Sequence, residues 1–191
     1  MKDIDLTRHK SCFFGIQESG KTYLAKYFVR DNFKKPLVYR LNQGFDDVKC
    51  FAYQPEDIYR EFPKFCQLAL DLAEQGKIDV IVIDEFDLFC SQNANLNQPL
   101  NYLVLNHRHV NNEKGVALFF LSRRPQDIPA KVVESSKHNF IFKLEGKNAV
   151  ERFKNLHPNI PPMIDEIDFE KHNFIHKEIG KNPEICEPIK F

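Results

Sequence analysis

Apolar residues cluster in five runs: Ser11 to Phe14, Pro36 to Leu41, Ile78 to Ile83, Val116 to Leu121 and Asn139 to Leu144. Short runs bounded by polar or turn residues read as strands, and the unbroken Val80-Ile81-Val82-Ile83 requires a strand buried on both faces, as inside a parallel sheet. The segments between them carry helical spacing. Leu24, Ala25, Phe28 and Val29 mark one face of a helix within Tyr23 to Phe33. Pro55 to Gln75 is a long helical region in which Pro63 is expected to force a kink or restart near Phe62, with Gly76 as its cap. Leu100 to His109, Pro129 to Ser136 and Lys147 to Leu156 complete the helices. Val48 to Tyr53 reads as a short extra strand, Asn42 to Asp47 and Phe89 to Pro99 as loops, and Met1 to Lys10 as a loose arm. Past Lys147 the helix is expected to break at Pro158 and at Pro161-Pro162, and the chain to finish in short extended pieces. Alternating strands and helices predict an α/β fold with a mainly parallel central sheet and helices on both faces.

The turn after the first strand is Gly15-Ile16-Gln17-Glu18-Ser19-Gly20-Lys21-Thr22, a complete Gly-x-x-x-x-Gly-Lys-Thr phosphate loop, or Walker A motif. Its backbone must bend around a phosphate, so it needs glycine at both ends. The successive amides, from Gly15 through to Tyr23, form an anion nest at the positive end of the following helix. Lys21 would reach the β- and γ-phosphates, and the Thr22 hydroxyl would bind Mg²⁺. The Ile78 to Ile83 strand ends in Asp84-Glu85, the Walker B pattern, placing two carboxylates where ligands bind in open α/β sheets. Asp84 would hold Mg²⁺ and Glu85 would act as general base toward a water, with Asp87 next in line. Together the two motifs predict an ATP-hydrolysing enzyme with ATP and Mg²⁺ as its ligands.

Charge and cysteines narrow the class only slightly. The 27 basic and 27 acidic residues of the 191-residue chain cancel, so no global field favours nucleic acid. Residues 51–100 are locally acidic, with 9 acidic and 3 basic residues, and contain the proposed metal ligand. Cys12, Cys50, Cys66, Cys90 and Cys186 form no Cys-x-x-Cys pair and read as reduced thiols. His172 and His176 are four apart and could share a helical face. With no third ligand nearby in sequence, they read as structural. No apolar run is long enough to span a membrane.

The order of strand, Walker A, helix, strand, helix, Walker B strand, helix and a strand ending in Ser122-Arg123-Arg124-Pro125 resembles the HerA/FtsK group of RecA-like motor ATPases. With Asn106-His107-Arg108-His109 before that last strand, it is most similar to the compact genome-packaging ATPases of tailless icosahedral viruses with an internal membrane. The resemblance covers Ser11 to Leu144. It implies a P-loop ATPase core over 1–145, with 146–191 as a C-terminal extension of the same domain. It also implies double-stranded DNA as partner, a homo-oligomeric ring (hexamer or pentamer), capsid or internal-membrane contacts, and a place in the host cytoplasm or the virion. By the same resemblance Arg108 is the arginine finger acting on a neighbouring subunit, with Arg123 or Arg124 as fallback, and either Ser122 and Arg123 take the γ-phosphate sensor role or the sensing arrangement differs. The group usually has glutamine where Arg123 stands, which keeps both sensor readings open. Lys34, Lys35, Arg40 and Lys49, or Lys131 and Lys137, are candidates for DNA phosphate contacts. Two other readings share the motifs: a nucleotide or small-molecule kinase using Arg123-Arg124 as lid residues, and an assembly or export ATPase of filamentous phages resembling zonula occludens toxin.

Overall fold

The computed structural model describes residues 4–41, 43–90 and 95–189, the side chain of Gln43 excepted. Eight strands form one sheet: β1 (Lys10–Phe14), β2 (Pro36–Tyr39), β3 (Phe51–Tyr53), β4 (Val80–Ile83), β5 (Ala117–Ser122), β6 (His138–Ile141), β7 (Phe174–Glu178) and β8 (Glu184–Cys186). Their order is β3-β2-β4-β5-β1-β6-β7-β8. The six strands from β3 to β6 in that order are parallel, and β7 and β8 add an antiparallel edge.

Two covered faces explain why β4 is apolar throughout, β5 as far as Leu121 and β1 from Cys12 onward. Phe13, Val82 and Phe119 point to one face, where they meet Leu24, Ala25, Phe28 and Val29 of α1 (Lys21–Asn32). Cys12, Phe14, Ile81, Ile83, Leu118 and Phe120 point to the other. That second face is covered by α2 (Ile58–Glu74), α3 (Gln98–Asn106), α4 (Ala130–Glu134), α5 (Lys147–Lys154) and α6 (Ile160–Glu166). Neither side of β4 or β5 meets water, so neither tolerates a polar position until the strand ends. The α/β fold with a mainly parallel sheet covered on both faces is therefore as expected.

Several local expectations fail, each for a physical reason. Helix α2 runs unbroken through Pro63. The proline lies in its second turn, and the carbonyl deprived of a helical N–H donor belongs to Tyr59, which is exposed and can turn to water. Asp57 caps the start by accepting N–H bonds from Tyr59 and Arg60. Pro161 and Pro162 do not break the chain but sit in the first turn of α6, where helix N–H groups lack partners anyway. The amino-terminal arm is not loose over its described part: Leu6 is fully buried, and Lys10 opens β1 rather than ending the arm. The Lys10 ammonium is buried and donates to the Val104 carbonyl of α3 (3.1 Å) and to Ser135 Oγ just past α4 (2.6 Å). Burial pulls its pKa down to about 8.

Helix α3 starts earlier than expected, at Gln98, because Asn97 caps it by accepting the Leu100 N–H at 3.0 Å. It ends at Asn106, so Arg108 lies in the turn beyond. The rest of the Phe89 to Pro99 loop includes residues 91–94, and the Asn42 to Asp47 loop includes residue 42; these five lie outside the described residues, as do residues 1–3 of the arm and the last two of the chain. His172 and His176 share no helix: the first follows a 3₁₀ turn and the second lies on β7. All five cysteines are free thiols. Among the described residues, no helix is long and apolar enough to cross a membrane.

Candidate active site

The phosphate loop is pinned at its entry to both neighbouring strands. Gly15 N–H donates to the Ser122 carbonyl at the end of β5 (3.1 Å), and Ile16 N–H to the Lys143 carbonyl just past β6 (2.9 Å). A side chain at position 15 would meet Ser19 Oγ at 2.4 Å and Phe142 Cβ at 2.8 Å, which explains the first glycine. The second, Gly20, has φ of 101°, a left-handed conformation that side chains resist. It is also the N-cap of α1 and offers that helix no side-chain cap, so the first-turn amides are left for a ligand. Lys21 is only 6% exposed. Its ammonium folds back on the loop and donates to the Ile16 carbonyl at 3.3 Å. Burial holds its pKa below the ordinary lysine value, and the nearby Asp84 carboxylate opposes that shift.

Strand β5 lies between β1 and β4, with Phe14 beside Ser122 and Ile83 beside Phe120. This stacks the ends of three strands into one site. Asp84 is buried at the end of β4, and its Oδ1 accepts the Glu85 N–H at 2.9 Å. Glu85 takes φ 48°, ψ 43°, a left-handed conformation costly for a residue with a side chain. That turn directs its carboxylate to the Arg123 guanidinium, with which it forms an ion pair. Arg123 is held from its backbone too, its N–H donating to Asp87 Oδ1 at 3.1 Å. Ser122 is fully buried, and its Oγ accepts the Arg124 N–H at 3.1 Å.

Of the residues singled out in the sequence, the fold brings together Gly15 to Tyr23, Asp84, Glu85, Ser122 and Arg123. Two stand apart. The Arg124 side chain is 71% exposed and lies 3.9 Å from Asp127. Arg108 lies at the opposite end of the sheet, before β5. Arg8 donates to its carbonyl (3.2 Å), and its guanidinium sits 3.4 Å from His9 Nδ1. The six residues of β5 place it about 20 Å from the phosphate loop of its own chain. The basic residues also disperse. Lys34 and Lys35 precede β2 and bond through their amides to Asp79, Arg40 follows β2 and pairs with Asp46, and Lys137 pairs with Glu178.

Beside the loop opens a cavity of about 570 Å³ whose wall includes Tyr23, Phe142, His172, Phe174 and Ile189. No motif pointed to the last four, because they arrive from the end of β6 and from both sides of the β7–β8 hairpin. The site fits the expected ligands by its own chemistry. Ser19 Oγ is buried without a hydrogen-bond partner beside a nest of amides, the condition of a donor awaiting an anion. The Thr22 hydroxyl and the Asp84 carboxylate are the hard oxygen donors Mg²⁺ requires. Lys21→Ala is accordingly expected to lower ATP turnover by about 10²–10³-fold, since one charged donor is lost from a preorganised anion site. Steady-state hydrolysis and binding of a fluorescent ATP analogue check this, and unchanged values for both would contradict it.

The whole chain has the fold of known nucleotide-driven proteins. The genome packaging NTPase B204 of Sulfolobus turreted icosahedral virus 2, solved with AMPPCP, superposes with a TM-score of 0.78 over 96% of this chain and 99% of its own, at 14% identity. The pCW3 conjugation coupling protein TcpA, solved with ATPγS, superposes at 0.65 over 96% of this chain and 61% of its own, at 13% identity. The N-terminal domain of zonular occludens toxin from Neisseria meningitidis gives 0.51 over 96% of each chain, at 10% identity. No curated protein matches the sequence. A family model does: residues 11–145 match the ATPase family associated with various cellular activities (AAA). That stretch holds the phosphate loop, both carboxylates and the strand wedged between them, and so the chain belongs to the AAA ATPases, an ATP-hydrolysing P-loop enzyme that uses ATP with Mg²⁺.

Proposed function

We propose that this ATPase is a double-stranded DNA translocase that works as a homo-oligomeric ring, hexamer or pentamer, and loads a viral genome into a capsid. The observation that carries the reading is the correspondence with B204: the two chains share one fold over 96% and 99% of their lengths. The position of Arg108 supports the ring. At the far end of the sheet it cannot serve its own phosphate loop, yet it is exposed and flanked on α3 by Tyr102 (44% exposed) and Leu105 (62% exposed). An exposed arginine just past a helix that leaves two apolar side chains uncovered suits a subunit interface that delivers a guanidinium to the next active site.

Within one subunit we assign the roles that the geometry supports. The loop amides and Lys21 hold the phosphates. Thr22 and Asp84 would hold Mg²⁺, which would neutralise phosphate charge when bound. Glu85 takes the proton of the attacking water. In the structure its carboxylate is tied to Arg123, so the guanidinium occupies the oxygen that would accept the proton. A γ-phosphate competes for that guanidinium, so Arg123 both senses the nucleotide and releases Glu85. This gives an arginine the position where the wider group carries glutamine. The protein acts in the host cytoplasm or attached to the virion, with capsid or internal-membrane proteins as its docking partners.

The test is the ATPase rate with and without double-stranded DNA, run beside a screen of metabolite phosphoryl acceptors. Several-fold stimulation by DNA is expected. Phosphoryl transfer to a metabolite, with no response to DNA, would instead make the chain a kinase.

A further inference from the structure

On the antiparallel edge of the sheet, the β7–β8 register sets His176 opposite Glu184 and Phe174 opposite Cys186. Side chains two apart on a strand share a face, so His176, Glu184 and Cys186 converge. His176 Nδ1 lies 3.2 Å from Glu184 Oε1. One ligand atom from each of the three residues falls within 4.8 Å of the others. The sequence offered His172 as the companion of His176, but the true neighbours come across the hairpin.

The hydrogen bonds behind this cluster do not balance. His138 Nε2 is 3.3 Å from the Asp5 carbonyl oxygen, His138 Nδ1 is 3.1 Å from His176 Nε2, and His176 Nδ1 faces the Glu184 carboxylate. The row has an oxygen acceptor at each end. Two neutral imidazoles supply two N–H protons for three contacts, so in every choice of tautomers one contact sets two lone pairs against each other. Both rings are buried, at 2% and 3% exposure, and both border the cavity outside the row, from which relief has to come. A cation at the outer end resolves it: His138 Nε2–H then donates to Asp5, His176 Nε2–H donates to His138, and the His176 Nδ1 lone pair is free to coordinate.

We propose that His176 Nδ1, Glu184 and Cys186 Sγ bind a divalent transition-metal ion, of which Zn²⁺ suits the donor set. Nitrogen, oxygen and sulfur ligands together match a borderline-soft ion rather than Mg²⁺ or Ca²⁺. Tetrahedral ligation at about 2.0–2.3 Å brings ligand atoms to about 3.3–3.7 Å apart, so closing the site takes shifts of about one ångström. Glu184 is 66% exposed at its side chain and borders a cavity of about 490 Å³, which admits the ion and a water as fourth ligand. His138 accepts the other ring N–H of the ligating imidazole and so orients it from behind, in the place usually taken by a carboxylate, backbone carbonyl or water. The ion fastens β8, a three-residue strand hydrogen-bonded only to β7 in the sheet, and Cys186 lies just before Pro188 and Ile189 of the nucleotide-cavity wall.

The test is titration of the metal-free full chain with Co²⁺, followed by displacement with Zn²⁺. One equivalent per chain is expected, with a thiolate-to-cobalt charge-transfer band that Zn²⁺ abolishes. Cys186→Ser should remove that band and Glu184→Gln should weaken binding at least tenfold, while Cys50→Ser, at the opposite edge of the sheet, should change neither. Thermal melts of the metal-free variants matching the metal-free wild type confirm that they are folded. Substoichiometric uptake, a band that persists in Cys186→Ser, or an imidazolium signal from His138 or His176 in nitrogen NMR without metal uptake would overturn the site.

Discussion

Arg108→Ala subunits should hydrolyse ATP at least about 10³-fold more slowly than the wild type while still binding nucleotide. A guanidinium placed at the γ-phosphate offsets charge that develops only in the transition state, so its loss falls on kcat rather than on affinity. Because Arg108 stands at the far end of the sheet from its own Lys21, the defect should be repairable by a neighbour. Arg108→Ala chains carry an intact phosphate loop and Lys21→Ala chains carry an intact finger, so mixing two inactive proteins should restore part of the activity at mixed interfaces. The wild-type rate per subunit should also rise with protein concentration. Should mixing restore nothing and the rate be independent of concentration, Arg108 acts only within its own chain, where a cation following α3 complements the negative end of the helix dipole.

Glu85→Gln should retain ATP binding and lower hydrolysis by about 10²–10⁴-fold, because the amide keeps the size of the side chain but cannot accept a proton. The structure adds a distinguishing feature. The ion pair with Arg123 is lost in Glu85→Gln, so the guanidinium is released toward the phosphates and ATP should bind at least as tightly as in the wild type. Asp84→Asn should behave differently, with the loss concentrated in the Mg²⁺ dependence. Hydrolysis at the wild-type rate in Glu85→Gln would move the base elsewhere, and Asp87, which holds the Arg123 amide, stands next to it.

What could be read in the sequence was what local chemistry dictates. Gly15 and Gly20 are required by a close contact and a positive φ within a few residues of each other, so their spacing alone announces the loop. Strands β4 and β5, and β1 from Cys12 onward, are apolar on both faces because both faces are covered, and a run such as Val80 to Ile83 permits little else. What escaped depends on partners distant in sequence. Phe174 and Ile189 border the nucleotide cavity only because β7 and β8 return antiparallel beside β6. The Arg123–Glu85 pair exists because β5 inserts between β1 and β4, a feature of strand order and not of spacing. His176, Glu184 and Cys186 meet through hairpin register, which no helical periodicity describes. Pro161 and Pro162 misled for a different reason: both fall in a first helical turn where the missing N–H costs little, and at Pro63 the freed carbonyl belongs to the exposed Tyr59.

Movement along DNA is the central claim, and ATP-dependent displacement of a third strand from a triplex on linear duplex DNA measures it directly. The account predicts displacement by the wild type with ATP and Mg²⁺, and none by Glu85→Gln or Arg108→Ala. Displacement absent in a wild-type protein that hydrolyses ATP and binds the same duplex would contradict it.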